Sequence, residues 1–542
     1  MERPVAPTLA GLVRRYAADG KAARRTAVVD DHGTRLTYGE LAERAAAFGS
    51  ALSRIGVGQG DTVGLLAPNS AGWVVSLVGA GLSGATVAAF HTWVKERDLE
   101  FLLGHSEAKV LVMAAMVAER SLLDPLLALV PEIVEGRPGD WSSARFPHLE
   151  AVIVLGESVQ GVAGLLPVDE FLRSGGDGDA AVREPETDAT AVVLYTSGST
   201  ADPKGVPLLQ GHLVENGFEI GERMGLTTDD RVWLGSPLFW SFGAANALVA
   251  TFTHQATLVV QEKFDAEAAV RQVADETCTA AYLLPAMTYA LLAVPGARKA
   301  FATVGKGLTI GRSEEVMMVV EGLGVDGVCN IYGSTETYGN CCVTPSDAPL
   351  DVRLCSQGPP LAGFEIRIVE EESGRVLEAG QPGQVQVRGR VTPGYLKAPE
   401  LNRATFTDDG WYRTGDVGVI DDSGYFHFVT RDSDMIKTNG INVSPAEIEA
   451  FVAGLPGVAE VVVVGAPDPR RDQMIVAFVR AAPGSELDPG TLLERCRREL
   501  ASYKVPHSVQ VVETIPLTAT GKLSRRLLLD LLPDIAAPAE RR

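Results

Sequence analysis

From about residue 26 the chain alternates short apolar runs with segments of helical spacing, and no other feature constrains its fold as strongly. "RTAVVD" and "DTVGLLA" read as short buried strands. "LTYGELAERAAAFGSALSRIG" between them repeats its apolar residues at helical spacing, with a threonine placed to cap its start. The alternation returns in "AKVLVM" and "LEAVIVLG", and again in "QATLVV" followed by "DAEAAVRQVADET". Such a succession predicts α/β layers on mostly parallel sheet.

From about residue 363 the texture changes. "FEIRIVEEESGRVLEAGQPGQVQVRG" alternates apolar and polar residues between glycine turns, as a small antiparallel β unit does. "SPAEIEAFVAGLPGVAEVVVVGAPD" then opens a helix and runs into a strand; the strand "MIVAFVR" and a helix over "DPGTLLERCRREL" follow. The expected fold class is therefore α/β: a large multi-layer N-terminal domain of parallel-sheet subdomains plus a small β unit, then a small α+β domain. The boundary is expected within "TRDSDMIKTNG", giving domains 1–432 and 433–542.

Composition supports a multidomain soluble protein. At 542 residues the chain exceeds one compact core, and 46% apolar with 22% charged residues argues against disorder. A net charge of −21 disfavours nucleic acid or an anionic membrane as partner. The six cysteines (Cys278, Cys329, Cys341, Cys342, Cys355 and Cys496) form no C-x-x-C pair and read as buried apolar filler in a reducing compartment. The N-terminus carries charge where a signal peptide needs a continuous apolar core, and no apolar stretch reaches spanning length. A cytoplasmic location is expected.

One loop offers anion-binding chemistry. Behind the strand "AVVLY" come Thr196, Ser197, Gly198, Ser199 and Thr200, then Lys204. Glycine lets backbone N–H groups face an anion, hydroxyls add donors, and lysine adds charge. This is not a Walker A loop, because Gly205 rather than Ser or Thr follows the lysine. By itself the loop reads equally well as a polar turn.

Downstream motifs separate the two readings. "NIYGSTETYG" (330–339), "WYRTGD" (411–416), "MIKTNGINVSPAEIE" (435–449) and "SYKVPHSVQVVETIPLTATGK" (502–522) follow in order. With the loop, this set closely resembles that of the adenylate-forming superfamily of AMP-dependent synthetases and ligases. In layout the chain is most similar to the free-standing acyl- and aryl-CoA synthetases, and the resemblance extends from "LTYGELAERA" to "TGK".

The resemblance implies a reaction with a charge problem. A carboxylate joins the α-phosphate of ATP and pyrophosphate leaves, so two anions must meet and donors must neutralise the concentrated charge. By resemblance, residues 196–200 and Lys204 close over the β- and γ-phosphates. Tyr332 and Gly333, with Gly311, lie at the adenine; Thr335 contacts the α-phosphate; and Glu336 holds Mg²⁺. A carboxylate beside a triphosphate needs such a cation between them. Asp416 and Arg431 match the ribose contacts, Lys522 the lysine that bridges carboxylate and α-phosphate, and Gly440 the close approach of a pantetheine arm. The family also rotates its small domain between the two half-reactions, which makes that domain mobile. ATP, Mg²⁺ and CoA are the cofactors implied. Only a short tail follows Lys522, so no fused carrier-protein domain is expected behind it.

Several positions depart from the family. Ala201 and Thr430 replace usual glycines, and Ser433 falls on the hinge. Trp240 stands where many members carry histidine beside the acyl site, equally readable as a pocket wall or as core filler. Thr309-Ile310-Gly311 replaces the usual Gly-Gly-Ala, with Arg312 behind it. Pocket walls are expected from 239–246, 307–313 and 338–342. There Phe239, Trp240 and Tyr338 favour an aromatic or apolar carboxylic acid, and Arg312 is the sole basic residue. The leading expectation is an acyl- or aryl-CoA ligase. A second keeps adenylation but passes the acyl group to a carrier protein, an amine or nitrite, as in ATP-dependent diazotases. A third, a catalytically silent nucleotide-binding protein, predicts loss of Glu336, Asp416 or Lys522, all of which are present.

Overall fold

The computed structural model describes residues 7–156, 159–174, 184–196, 203–431, 436–438, 441–443, 445–468, 472–500, 504–517 and 523–532. The chain divides into two compact units. One comprises Met1–Arg367, Gln386–Arg413 and Ile420–His427; the other comprises Ile368–Val385, Thr414–Val419 and Phe428–Arg542.

The first unit is built on two large sheets. One has eight strands in the order Cys342–Val343, Gly327–Tyr332, Lys306–Thr309, Ala280–Tyr282, Arg231–Leu234, Thr257–Val260, Thr26–Asp30, Arg35–Thr37. Its inner neighbours run parallel, and only the two edge strands are antiparallel to theirs. The other has seven strands in the order Lys204–Leu209, Thr190–Thr196, Thr86–Ala89, Thr62–Leu66, Val110–Ala114, Ala151–Leu155, Leu165–Pro167, again parallel except for the Lys204–Leu209 edge. The near-continuous apolar runs of these strands follow from burial on both faces.

Local chemistry fixes the helices where the spacing predicts them. Thr37 caps Tyr38–Arg54 in a reciprocal box: its hydroxyl accepts from Glu40 N at 3.2 Å, and Glu40 Oε2 accepts from Thr37 N at 2.8 Å. Asp265 caps Ala266–Asp275 by accepting from Ala268 N at 2.8 Å.

The stretch that alternates from about 363 contributes Phe364–Val369 and Gly383–Gly389 to a four-stranded sheet completed by Tyr412–Ile420 and Phe426–Arg431. In the second unit Val458–Asp468 pairs antiparallel with Asp472–Ala481, and Ser508–Val511 adds parallel to the latter. The run Val462–Val464 is buried from both sides because successive side chains alternate. Val463 packs with Ile448, Val452, Leu492 and Cys496 of helices Pro445–Ala453 and Pro489–Glu499, whereas Val462 and Val464 pack with Phe478 and Leu528.

The cysteine expectation needs one correction. All six are free and five are buried, but Cys355 is exposed, at the end of helix Leu350–Cys355. A helix that short ends in solvent before its last residue reaches the core. Among the described residues, no helix is long and apolar enough to cross a membrane.

Candidate active site

The anion-binding loop leaves one strand and returns on its antiparallel partner. Thr190–Thr196 pairs with Lys204–Leu209, and Thr196 lies directly opposite Lys204 across the mouth of the loop. Ser197, Gly198, Ser199, Thr200 and Ala201 lie outside the described residues. At the mouth, the Lys204 ammonium sits 5.2 Å from the centre of the Tyr395 ring, within cation–π range.

The second stretch follows the inner strand Gly327–Tyr332, at the carboxyl end of a parallel sheet where α/β folds bind ligands. Tyr332 packs against Phe426, with ring centres 4.4 Å apart and planes tilted by 36°. Gly333 is required by close backbone approach: a Cβ there would meet the Gly339 carbonyl and lie 2.6 Å from Asn340 Cα. Thr335–Thr337 makes one tight turn, closed by the Ser334 N–H donating to Thr337 Oγ1 at 2.9 Å. This turn places the Thr335 hydroxyl 3.2 Å from Ser241 Oγ and buries Glu336, which is 8% exposed.

Glu336 is satisfied on one side only. Its Oε1 accepts from the Tyr395 hydroxyl at 2.7 Å, and its backbone carbonyl accepts from Thr392 N at 2.8 Å. Burial and the neighbouring Glu336 charge push the Tyr395 hydroxyl far above the usual phenol range, so it stays a donor. Glu336 Oε2 has no hydrogen bond among the described residues, and no cluster of three or more His, Cys, Asp or Glu surrounds it there. A lone carboxylate with a nearby hydroxyl suits Mg²⁺, which takes one or two protein oxygens and completes its shell with phosphate oxygens and water.

Phe239 and Trp240 belong to an aromatic cluster that also includes Trp93. Trp240 is half-buried, 5.4 Å from Trp93 and 6.1 Å from Phe239 between ring centres; Trp93 and Phe239 meet edge to face at 5.3 Å. His91 stacks on Trp93, and burial lowers its pKa. Asn69 sets the backbone of this wall: it accepts from Leu238 N at 2.6 Å and donates to the carbonyls of Ser236 (2.9 Å) and Gln261 (3.0 Å). Behind the wall, Phe242–Leu248 is wound as a π-helix, a local widening often found at functional sites. Tyr338 adopts the left-handed conformation (φ 57°) and is fully buried, its hydroxyl accepting from Leu209 N at 2.9 Å. It is thus a strut between the two stretches. Nearby, the side-chain amides of Asn246 and Asn340 are buried without a hydrogen-bond partner among the described residues.

The remaining predicted residues divide. Gly311 has φ 155°, and a Cβ there would lie 2.8 Å from Glu315 Cβ. The Arg312 guanidinium faces Glu315 at 3.5 Å and is 63% exposed, so its charge is already matched. Asp416 is buried, its N–H donating to Thr414 Oγ1 at 3.1 Å; it and Arg431 belong to the second unit. Gly440, Ser433 and Lys522 lie outside the described residues. The described residues therefore bring together Thr196 with Lys204, the segment Tyr332–Glu336, and Phe239 with Trp240 through Ser241. Sequence reasoning missed Asn69, Trp93 and Tyr395, which stand outside the quoted motifs, whereas Ser241 lies within the expected wall 239–246.

Fold and site together define an adenylate-forming enzyme, and comparison with known proteins agrees. Residues 15–396 match the family model for AMP-binding enzymes and residues 447–522 the model for their C-terminal domain. The chain belongs to the AMP-binding enzyme family and is an AMP-forming acid–thiol ligase that uses ATP and CoA. It is 32% identical over 500 residues to feruloyl-CoA synthase from Amycolatopsis sp., covering 91% of this chain and 93% of that one. The crystal structure of ATP-bound MatB from Rhodopseudomonas palustris superimposes with a TM-score of 0.84 at 25% identity, covering 96% and 98% of the two chains. The anthranilate CoA ligase AuaEII with anthranoyl-AMP gives a TM-score of 0.83 at 26% identity, covering 97% of each.

Proposed function

We propose that this acyl-CoA ligase activates an aromatic or apolar carboxylic acid, with the site residues acting in two half-reactions. In the first, a carboxylate oxygen attacks the α-phosphorus and the bond to pyrophosphate breaks. Lys204 and the loop 196–200 hold the leaving pyrophosphate, Thr335 contacts the α-phosphate, and Lys522 bridges it to the attacking carboxylate. Tyr332 and Gly333, with Gly311, flank the adenine, and Asp416 and Arg431 hold the ribose. Mg²⁺ bound through Glu336 would neutralise charge on the triphosphate. In the second, the CoA sulfur attacks the acyl carbon, the thiol proton is lost and AMP leaves, with Gly440 at the pantetheine arm.

The observation that carries this reading is the burial of Glu336, a carboxylate with one oxygen unbonded among the described residues, one tyrosine away from the lysine of the phosphate loop. The aromatic preference rests on Trp93, Phe239 and Trp240. The protein is read as cytoplasmic. The small domain is taken as 433–542, which lies within the unit formed by Ile368–Val385, Thr414–Val419 and Phe428–Arg542, and Ser433 is taken as its hinge. Pyrophosphate release measured over a panel of acids tests the assignment: Lys522→Ala lowers it by about 10²–10³. Release unchanged in that variant would remove Lys522 from the reaction.

A further inference from the structure

We propose that Tyr395 is a positioning residue for the Mg²⁺-bound triphosphate: its hydroxyl fixes the Glu336 carboxylate while its ring seats the Lys204 ammonium. The inference rests on the reading of Glu336 as the metal carboxylate and Lys204 as the phosphate lysine, and assigns a role to a residue outside the motifs quoted from the sequence.

Three observations carry it. First, Tyr395 touches both groups, its hydroxyl 2.7 Å from Glu336 Oε1 and its ring centre 5.2 Å from Lys204 Nζ. Second, the tyrosine is itself held. Its N–H donates to Asn402 Oδ1 at 2.7 Å, and its carbonyl accepts from Asn402 Nδ2 at 2.9 Å. Third, the segment around it is fastened to both halves of the site. Thr392 N donates to the Glu336 carbonyl at 2.8 Å and Thr392 Oγ1 to the Pro207 carbonyl at 2.7 Å, while Leu396 N donates to the Gly205 carbonyl at 2.9 Å. Residues 392–396 thus bridge the returning strand of the phosphate loop and the turn that carries Glu336.

The chemistry of the ring explains why tyrosine serves here. A phenylalanine would fill the same space and still attract the ammonium, but the 2.7 Å hydrogen bond to the buried carboxylate would be lost. With Oε1 held by the hydroxyl, Oε2 is the oxygen left for a cation. A carboxylate free to turn would have to be ordered each time Mg²⁺ and ATP bind, and that ordering costs affinity.

The test uses the full-length chain and calorimetric titration of ATP in EDTA and in excess Mg²⁺. Tyr395→Phe removes one oxygen and keeps the ring; its thermal midpoint reports that it is folded. Binding of metal-free ATP should stay within about two-fold of wild type, while the tightening produced by Mg²⁺ falls by about ten-fold, as for loss of a hydrogen bond to a charged group. Glu336→Gln should lose that tightening altogether. Full tightening in Tyr395→Phe, with Glu336→Gln deficient, overturns the role of Tyr395 alone. Equal weakening with and without Mg²⁺ also overturns it, because the residue then only packs. Full tightening in Glu336→Gln overturns the metal reading of Glu336, and this proposal with it.

Discussion

Asn69 joins the two large sheets and sets the aromatic wall at the same time, so its removal should be felt in both stability and substrate binding. It lies between strand Thr62–Leu66 of the seven-stranded sheet and helix Ala71–Ser83. Its three hydrogen bonds reach Ser236, Leu238 and Gln261, which follow strands Arg231–Leu234 and Thr257–Val260 of the eight-stranded sheet. All three bonds are buried, and Asn69 is 1% exposed. Asn69→Ala leaves one N–H and two carbonyls without partners, each worth about 1–3 kcal/mol when buried. Partial relaxation keeps the total below the sum, so a loss of about 3 kcal/mol is expected, with a thermal midpoint lower by several degrees. Because Leu238 N anchors the backbone just ahead of Phe239 and Trp240, the KM for the acid should rise more than the KM for ATP. Differential scanning fluorimetry and steady-state pyrophosphate release measure the two effects. A midpoint within about 1 °C of wild type, with both KM values unchanged, would refute the claim that this side chain couples the sheets to the wall.

Other perturbations follow from the same geometry. Gly333→Ala drives a methyl group into the Gly339 carbonyl, a backbone atom that cannot yield cheaply; a stability loss of about 1–3 kcal/mol and near-complete loss of ATP binding are expected in denaturant and ligand titrations. Trp240→Ala should raise the KM for aromatic acids at least several-fold and leave that for ATP nearly unchanged, and equal effects on both would remove Trp240 from the acid pocket. Asp230 gives a pH signature. Burial alone raises its pKa, but bonds from Lys306 Nζ (2.7 Å), Thr279 Oγ1 (2.7 Å) and Thr227 N (2.7 Å) outweigh burial and hold it below the ordinary value. Its contribution is therefore complete above a pH of about 4, the unfolded value, and is lost as pH falls further. Urea midpoints at pH 3 to 5 should decline less steeply in Asp230→Asn than in wild type.

Much of this protein was legible from local pattern, and the rest was not, for a physical reason. Helical spacing behind a threonine identified Tyr38–Arg54, and apolar runs identified the inner strands, because capping and two-sided burial act over a few residues. The motif "YGSTET" placed Glu336 for the same reason, since one tight turn fixes it. Tyr395 is 59 residues from the carboxylate it bonds, and Asn69 is 169 residues from Leu238. Such contacts exist only after the sheets have assembled, and no periodicity encodes them. Arg312, the sole basic residue in the expected pocket walls, pairs with Glu315 three residues on, a contact that its position in the wall does not encode.

The most direct test is the fate of the acyl group. With ATP, Mg²⁺, an aromatic acid that supports pyrophosphate release, and CoA, the account predicts acid-dependent AMP and an equal amount of acyl-CoA thioester, both quantified by liquid chromatography. AMP formed without any thioester, or formed equally with and without CoA, would contradict it.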